Sequence, residues 1–367
     1  MKVLLVANYE GDRQESMNRF AQLLAAGLEA SGIQVSVLRP PVRIGGGGLF
    51  SKWRAYVDKF ILFRSMIRRA SAAADLVHIC DHSNAMYVEL LRKPTVVTCH
   101  DLLAVRGALG ENTDCPASPL GKVLQKWIGR GLSRAHALVC VSHATSADVE
   151  RIIVRNGRPK TQVVHTGLSY PYRRLSVEET DARIAASQVR LPGVFLLHVG
   201  SSLRRKNREA VLRTLARLHP DKVAGVVFAG APLNESQRAL AVQLGVRERT
   251  VEVIGPSNEL LEALYNRAHC LLFPSRFEGF GWPIIEAQAC GCPVTCGNGT
   301  SLPEIAGDGA IIVDPDDDQK LAEAVTELLA PARRAELIAQ GTANVARFSV
   351  SQMVQEYIAV YREALKQ

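Results

Sequence analysis

Two glutamates eight residues apart, Glu278 and Glu286, flank a Gly-Phe-Gly in the stretch RFEGFGWPIIEAQACGCP, residues 276–293. An ordinary amphipathic helix has no use for that arrangement. Carboxylates accept hydrogen bonds from vicinal hydroxyls, and the bare backbone of Gly279 and Gly281, with Phe280 between them, can offer N–H groups to the same ligand. CLLFP (270–274) reads as a strand running into this loop. Pro283 suits the first position of a helix that Gly291 ends, which puts Glu286 in its first turn and Glu278 in the loop ahead. The structural alternative stays open here: Glu286 complements the helix dipole while Glu278 is solvated.

Cations gather elsewhere. VFLLHVGSSLRRKNREAVLRTL (194–215) ends a strand at a glycine and then sets Arg204, Arg205 and Lys206 before a helix pattern. Fixed donors, a helix N-terminus and positive charge together favour a diphosphate, the alternative being a solvated basic turn. TCHDLLAVRG places His100 and Asp101 directly after another strand, where a site residue or a structural histidine would both fit. The first strand ends in ANYEGDRQES without the GxGxxG of a dinucleotide fold, which disfavours hydride transfer with nicotinamide. Gly11 could still let backbone amides approach a phosphate, with Ser16 capping the helix that follows.

These loops need a frame, and the apolar pattern supplies one. KVLLVAN (2–8), VSVL (35–38), LVHIC (76–80), TVVTC (95–99) and ALVCV (137–141) form one series of short apolar runs separated by helix-length segments. A second series comprises VFLLHVG, VAGVVFAG (223–230), VEVIG (251–255), CLLFP, PVTC (293–296) and AIIVD (310–314). Such runs indicate parallel strands buried on both faces, hence two doubly wound α/β domains whose ligands bind at the carboxyl ends of the strands. The polar segment 173–193 reads as the linker. The chain has 367 residues, 47% of them hydrophobic and 22% charged, which suits a two-domain globular protein. No apolar run reaches the length that spans a bilayer, and the N-terminus reads as a strand rather than a signal peptide. Eight cysteines without a CxxC pair suggest buried, reduced thiols and a cytoplasmic setting. The net charge of +8 is lopsided: residues 1–180 carry 24 Lys and Arg against 15 Asp and Glu, so the first half is expected to meet something anionic.

At these residues the chain resembles the retaining glycosyltransferases of family 4, which have the GT-B fold of two Rossmann-like domains facing across a cleft. The densest likeness runs over 253–318, where Glu278 and Glu286 match the family's E-x7-E motif. Lys206 matches its phosphate-binding lysine, with Arg205 beside it, and His100 falls where the family places a histidine near the donor sugar. The resemblance implies an acceptor domain over 1–172, completed by a last helix at 349–367, and a donor domain over 173–348. It implies a nucleotide-diphospho-sugar, UDP- or GDP-linked, as co-substrate, with no other cofactor and no metal. Glu286 would bind the ribose, and Glu278 with the amides of Gly279, Phe280 and Gly281 would hold the hexose. Arg205 and Lys206 would stabilise the departing diphosphate. Ile254 and Gly11 are further donor-binding candidates. Two departures stand out: Ser201 occupies the place where many relatives carry arginine, and the first loop has Gly11 in place of a glycine cluster. DPDDD (314–318) matches the family's post-strand turn and reads as a helix start.

The segment 51–70 places Trp53, Tyr56, Val57, Phe60, Phe63 and Ile67 on one helical face, flanked by Lys52, Lys59, Arg64, Arg68 and Arg69. A core helix is the plainer reading. A patch resting on an anionic membrane, suited to a lipid-linked acceptor at the inner face, is the sharper one. GGGG (45–48) would form a mobile loop ahead of it. The acceptor expected is a glycan or a lipid-linked one, with no nucleic acid among the partners. Rival readings are a nucleotide-sugar 2-epimerase of the same architecture, which the E-x7-E loop disfavours, and a basic nucleic-acid-binding protein, which lacks a recognisable binding module.

Overall fold

The computed structural model describes residues 1–12, 14–41 and 57–366. The glycine run 45–48, and Lys52, Trp53 and Tyr56 of the predicted amphipathic face, lie outside the described residues. The chain divides into two compact units, Met1–Ser169 with Ser349–Gln367, and Tyr170–Phe348.

In unit 1 the strands are β1 (Lys2–Val6), β2 (Gln34–Leu38), β3 (Leu76–Ile79), β4 (Thr95–Cys99), β5 (Ala137–Cys140) and β6 (Lys160–Val163). They form one sheet in the order β2-β1-β3-β4-β5-β6, parallel throughout. Unit 2 has β7 (Phe195–Gly200), β8 (Gly225–Gly230), β9 (Thr250–Ile254), β10 (Cys270–Phe273), β11 (Val294–Gly297) and β12 (Ala310–Val313). Their order is β12-β11-β10-β7-β8-β9, again all parallel. Each sheet therefore reverses its winding once, between β1 and β3 in unit 1 and between β7 and β10 in unit 2. The loops leaving those strand pairs diverge to opposite faces and open a crevice at the strand ends, which is where ligands of such sheets bind.

The central strands are buried on both faces, and helices cover them, as continuous Val/Leu/Ile runs require. Strand β6, KTQV, escapes the apolar search because it is an edge strand whose alternate residues face solvent. The segment read as a linker is instead part of unit 2. Ser176 caps a helix, Val177–Ala186, by accepting from the Glu179 amide, and Arg183 of that helix pairs with buried Glu262. Its polarity is that of a solvent-facing helix surface rather than of a connector. Ser16 also does not cap: the first helix spans Glu15–Ala30 and begins one residue before it.

The last helix, Val350–Ala364, belongs to unit 1. Buried His78 on β3 fastens it there. Its Nδ1 lies 2.6 Å from the Tyr361 hydroxyl and its Nε2 lies 2.8 Å from Thr98 Oγ1. Thr98 in turn lies 2.9 Å from the Tyr357 hydroxyl. The described part of the 51–70 segment contributes Phe63 and Ile67 to the core of unit 1, and Phe60 stacks on Trp127 at 5.6 Å. All eight cysteines are free, and all but Cys115 are buried.

Burial holds His78 in unit 1 and His198 in unit 2 at about 3, so both stay neutral in the folded chain. Unfolded, each binds a proton below about pH 6.5, so the folded state loses stability as pH falls from there. His100, His136 and His269 lean the same way, and His82 leans the opposite way. The urea midpoint is expected to fall between pH 7 and pH 5, with His78 and His198 each costing up to about 1.4 kcal/mol per pH unit below about pH 6.5. A midpoint that stays level over that window would contradict this reading.

Candidate functional site

Neighbouring strands β7 and β10 send out the two loops that carry the predicted cations and the first glutamate. After β7 the chain makes a single tight turn, Arg204–Lys206, and then passes through Asn207 in the left-handed conformation at φ 53°. The Asn207 side chain secures this kink by donating to the Pro315 carbonyl at 2.6 Å. Lys206 is thereby turned inward: it is 8% exposed, and its ammonium lies 4.8 Å from the centroid of the Phe273 ring at the end of β10.

The ammonium of Lys206 donates to Glu278 Oε1 at 2.6 Å. Arg205 Nη1 donates to Glu278 Oε2 at 2.9 Å and to the Phe277 carbonyl at 3.0 Å. Both oxygens of one buried carboxylate are thus held by two adjacent cations from the other loop. The backbones are laced together as well, with the Arg276 amide donating to the Arg205 carbonyl at 2.8 Å. Behind Glu278, its own amide donates to Thr300 Oγ1 at 3.0 Å, and the Ser301 hydroxyl reaches the Glu278 and Phe280 carbonyls at 3.0 and 2.7 Å. The 279–281 loop is consequently pinned at its start and middle, and Gly281 closes it at φ 111°. Only glycine takes that backbone without strain.

Burial alone would raise the Glu278 carboxyl, but Lys206 and Arg205 beside it hold it at about 2. Burial also lowers Lys206, against the opposing pull of Glu278. The pair is charged near neutrality because each partner keeps the other so.

Glu286 sits on the helix Trp282–Ala289. That helix begins one residue before Pro283, so Glu286 lies in the second turn and not the first. The dipole alternative therefore loses its basis, since the effect falls off within the first turn. Glu286 is 5% exposed and accepts at 2.8 Å from the hydroxyl of Tyr265, a fully buried side chain. Burial and the adjacent Glu286 push the Tyr265 hydroxyl well up, so it remains a donor. Ile254 ends the edge strand β9, exposed, two strands away from β7.

Gly11 and His100 belong to unit 1. Gly11 lies in an exposed turn, Glu10–Asp12, where a Cβ would come within 2.4 Å of the Tyr9 ring. Packing against that ring accounts for the glycine. His100 is buried, its Nε2 2.9 Å from the Cys80 carbonyl and its ring edge-on to Phe20 at 4.9 Å. Burial lowers it, so it is neutral near pH 7. Asp101 accepts from the Leu103 amide at 3.0 Å.

Several residues escaped the sequence reading. Asp81, two residues past the end of β3, is buried, accepts from Asn8 and from Ser83 Oγ at 2.6 Å, and lies 3.1 Å from His82. Burial would raise its carboxyl, but His82, His100 and Ser83 hold it far below the usual range. The polar run CDHSN after an apolar strand was the available signal. In unit 2, Arg208 is wholly buried and donates to the carbonyls of Gly200, Ala231 and Pro232 at 2.7, 2.9 and 3.1 Å. It knits the ends of β7 and β8, and nothing in its local sequence marks it.

Comparison with known proteins covers both units. Residues 17–169 match the family described as Glycosyltransferase Family 4, and residues 181–343 match Glycosyl transferases group 1. The O-antigen chain mannosyltransferase B of Escherichia coli is 27% identical over 305 residues, which cover 80% of this chain and 77% of that protein. A D-inositol 3-phosphate glycosyltransferase 1 of Catenulispora acidiphila is 29% identical over 327 residues, covering 83% and 76%. Among solved structures, sucrose-phosphate synthase from Thermosynechococcus elongatus superposes with a TM-score of 0.78 at 17% identity, covering 99% of this chain and 98% of that one. The Anabaena protein HepE, solved with UDP and glucose, gives 0.76 at 18%, covering 99% and 100%. These likenesses establish the GT-B fold of two Rossmann-like domains.

Removing one partner of a buried ion pair strands the other charge, a loss of about 3–5 kcal/mol when no second cation remains. With Arg205 still present, Lys206→Met is expected to cost less than that, about 2 kcal/mol. Adding Glu278→Gln should recover most of it. A double-mutant cycle by urea unfolding checks the coupling, and strictly additive effects would contradict it.

Proposed function

The chain belongs to family 4 of the glycosyltransferases, and from that premise we propose that it moves a hexose from a nucleoside-diphospho-sugar to a glycan or lipid-linked acceptor, with retention and without a metal. One observation carries this reading: Arg205 and Lys206 converge at the β7/β10 reversal of unit 2 on a carboxylate that also borders the Gly-Phe-Gly loop. Cations fixed beside a hydroxyl acceptor suit a ligand with a diphosphate joined to a sugar. The relatives named as mannosyl- and inositol-phosphate glycosyltransferases, and the HepE structure with UDP and glucose, support the same class of substrate.

In this reading unit 2 is the donor domain and unit 1 the acceptor domain. Glu286, oriented by Tyr265, takes the ribose hydroxyls. Glu278 and the amides of residues 279–281 take those of the hexose. The bond between the anomeric carbon and the phosphate oxygen breaks as the acceptor oxygen bonds to the same face of that carbon. The electron pair leaves with the diphosphate, which accepts the acceptor's proton. Arg205 and Lys206 face the charge that develops there, an electrostatic contribution that donors held in place provide without reorganisation. The resemblance assigns His100 a place near the donor sugar, and Gly11 is proposed to let backbone amides approach a phosphate. UDP- and GDP-sugars are the donors proposed.

Among the described residues no helix is long and apolar enough to cross a membrane. Contact with an anionic membrane surface through the basic segment that ends in Arg64, Arg68 and Arg69, at the cytoplasmic face, is part of this proposal. Salt-sensitive sedimentation with anionic vesicles would support it, and equal recovery with neutral vesicles would remove it.

Thermal stabilisation over UDP-, GDP- and ADP-sugars identifies the donor, and initial rates then test the roles. Glu286→Ala is expected to raise the donor KM at least tenfold. Lys206→Ala should lower kcat by about a hundredfold or more, the scale for losing a charge-stabilising donor. Wild-type rates in both variants would remove the assignment. Isomerised donor in the absence of any acceptor would favour the 2-epimerase reading instead.

A further inference from the structure

The cations assigned to the diphosphate are already paired within the protein. Lys206 and Arg205 hold both oxygens of Glu278, at 2.6 and 2.9 Å. The three groups sum to a single positive charge, whereas a diphosphate diester offers two negative ones. We infer that Glu278 is a resident counter-ion which surrenders its cations to the diphosphate only when sugar hydroxyls arrive to replace them. This inference deepens the proposed donor reading and rests on it.

The geometry around the carboxylate makes the exchange obligatory. Glu278 is 7% exposed, so water cannot readily take over its hydrogen bonds. A buried carboxylate deprived of donors costs far more than an exposed one. Nor can it follow its cations away. Its amide is bound to Thr300, its carbonyl to Ser301, and the preceding Arg276 amide to the Arg205 carbonyl. Lys206 is held close by, with its ammonium 4.8 Å from the Phe273 ring centroid and its Cε so near Gly200 that a Cβ there would sit 3.2 Å away. The cations can turn from carboxylate to phosphate over a short path, while the carboxylate remains where it is and needs new donors.

Vicinal hydroxyls supply them. An intact sugar nucleotide brings phosphate for the cations and hydroxyls for Glu278 in one molecule. A nucleoside diphosphate brings only the first, and leaves the carboxylate either unpaired or still competing for Lys206 and Arg205. The site therefore favours donor over spent nucleotide. Once the hexose has left with the acceptor, Glu278 recovers its cations and the nucleoside diphosphate is released.

The test is calorimetric titration of UDP and of GDP into the wild-type protein and into Glu278→Gln, each with and without saturating glucose or mannose. The glutamine keeps the shape and removes the competing charge. It is expected to tighten binding of the nucleoside diphosphate at least tenfold. In the wild type the free hexose should strengthen nucleoside diphosphate binding, and by linkage the reverse. In Glu278→Gln that coupling should vanish. Unchanged or weaker nucleotide binding in a Glu278→Gln protein with a normal unfolding midpoint would overturn the inference. Should that variant not fold, the wild-type titrations decide, and indifference to every hexose overturns it. Absence of binding by either nucleotide to the wild type would instead remove the donor reading beneath it.

Discussion

A carboxylate that is buried and charged must keep its cations, and the candidate site of this chain is organised by that requirement. Glu278 is buried, yet Lys206 and Arg205 hold it ionised. Neither cation is near it in sequence. Their meeting depends on two strands, 70 or so residues apart along the chain, lying side by side with their carboxyl ends level. The kink at Asn207, the Arg276–Arg205 backbone link and the Thr300–Ser301 anchor all serve to keep that meeting in register.

The same geometry explains why the site lies where it does. In unit 2 the winding of the sheet reverses between β7 and β10, so their following loops part and leave strand ends open. Unit 1 repeats the pattern at β1 and β3, where Asn8, Asp81 and Asn84 form a buried polar cluster. Two reversals, each with buried charge at its mouth, are a direct consequence of two parallel sheets of the same design.

Much of this was legible in the residues. Eleven of the twelve strands coincide with the short apolar runs of the sequence, and the central ones, covered on both faces, have few polar positions to spare. The Glu278/Glu286 spacing, the basic turn and the glycine pair were visible as local patterns and led to the family. What stayed hidden depends on contacts distant in sequence. Strand β6 is an exposed edge and reads as polar, and the helix at 177–186 reads as a connector for the same reason. Tyr265 looks like any aromatic on an amphipathic helix until its hydroxyl is seen against Glu286. Arg208 looks like a surface cation, yet it is buried among three carbonyls that folding alone brings together. The first helix starts two residues ahead of the position that a Ser16 cap implies, and the helix at Trp282 starts one residue ahead of Pro283, which moves Glu286 out of the reach of the dipole.

The central claim is that Arg205 and Lys206 recognise the diphosphate of a sugar nucleotide. Its most direct test compares the affinity of an intact nucleoside-diphospho-hexose with that of the bare nucleoside, in the wild type and in an Arg205→Met, Lys206→Met double variant. The account predicts a large preference for the sugar nucleotide in the wild type that collapses in the variant, while nucleoside binding through Glu286 persists. A preference of equal size in both proteins would contradict it.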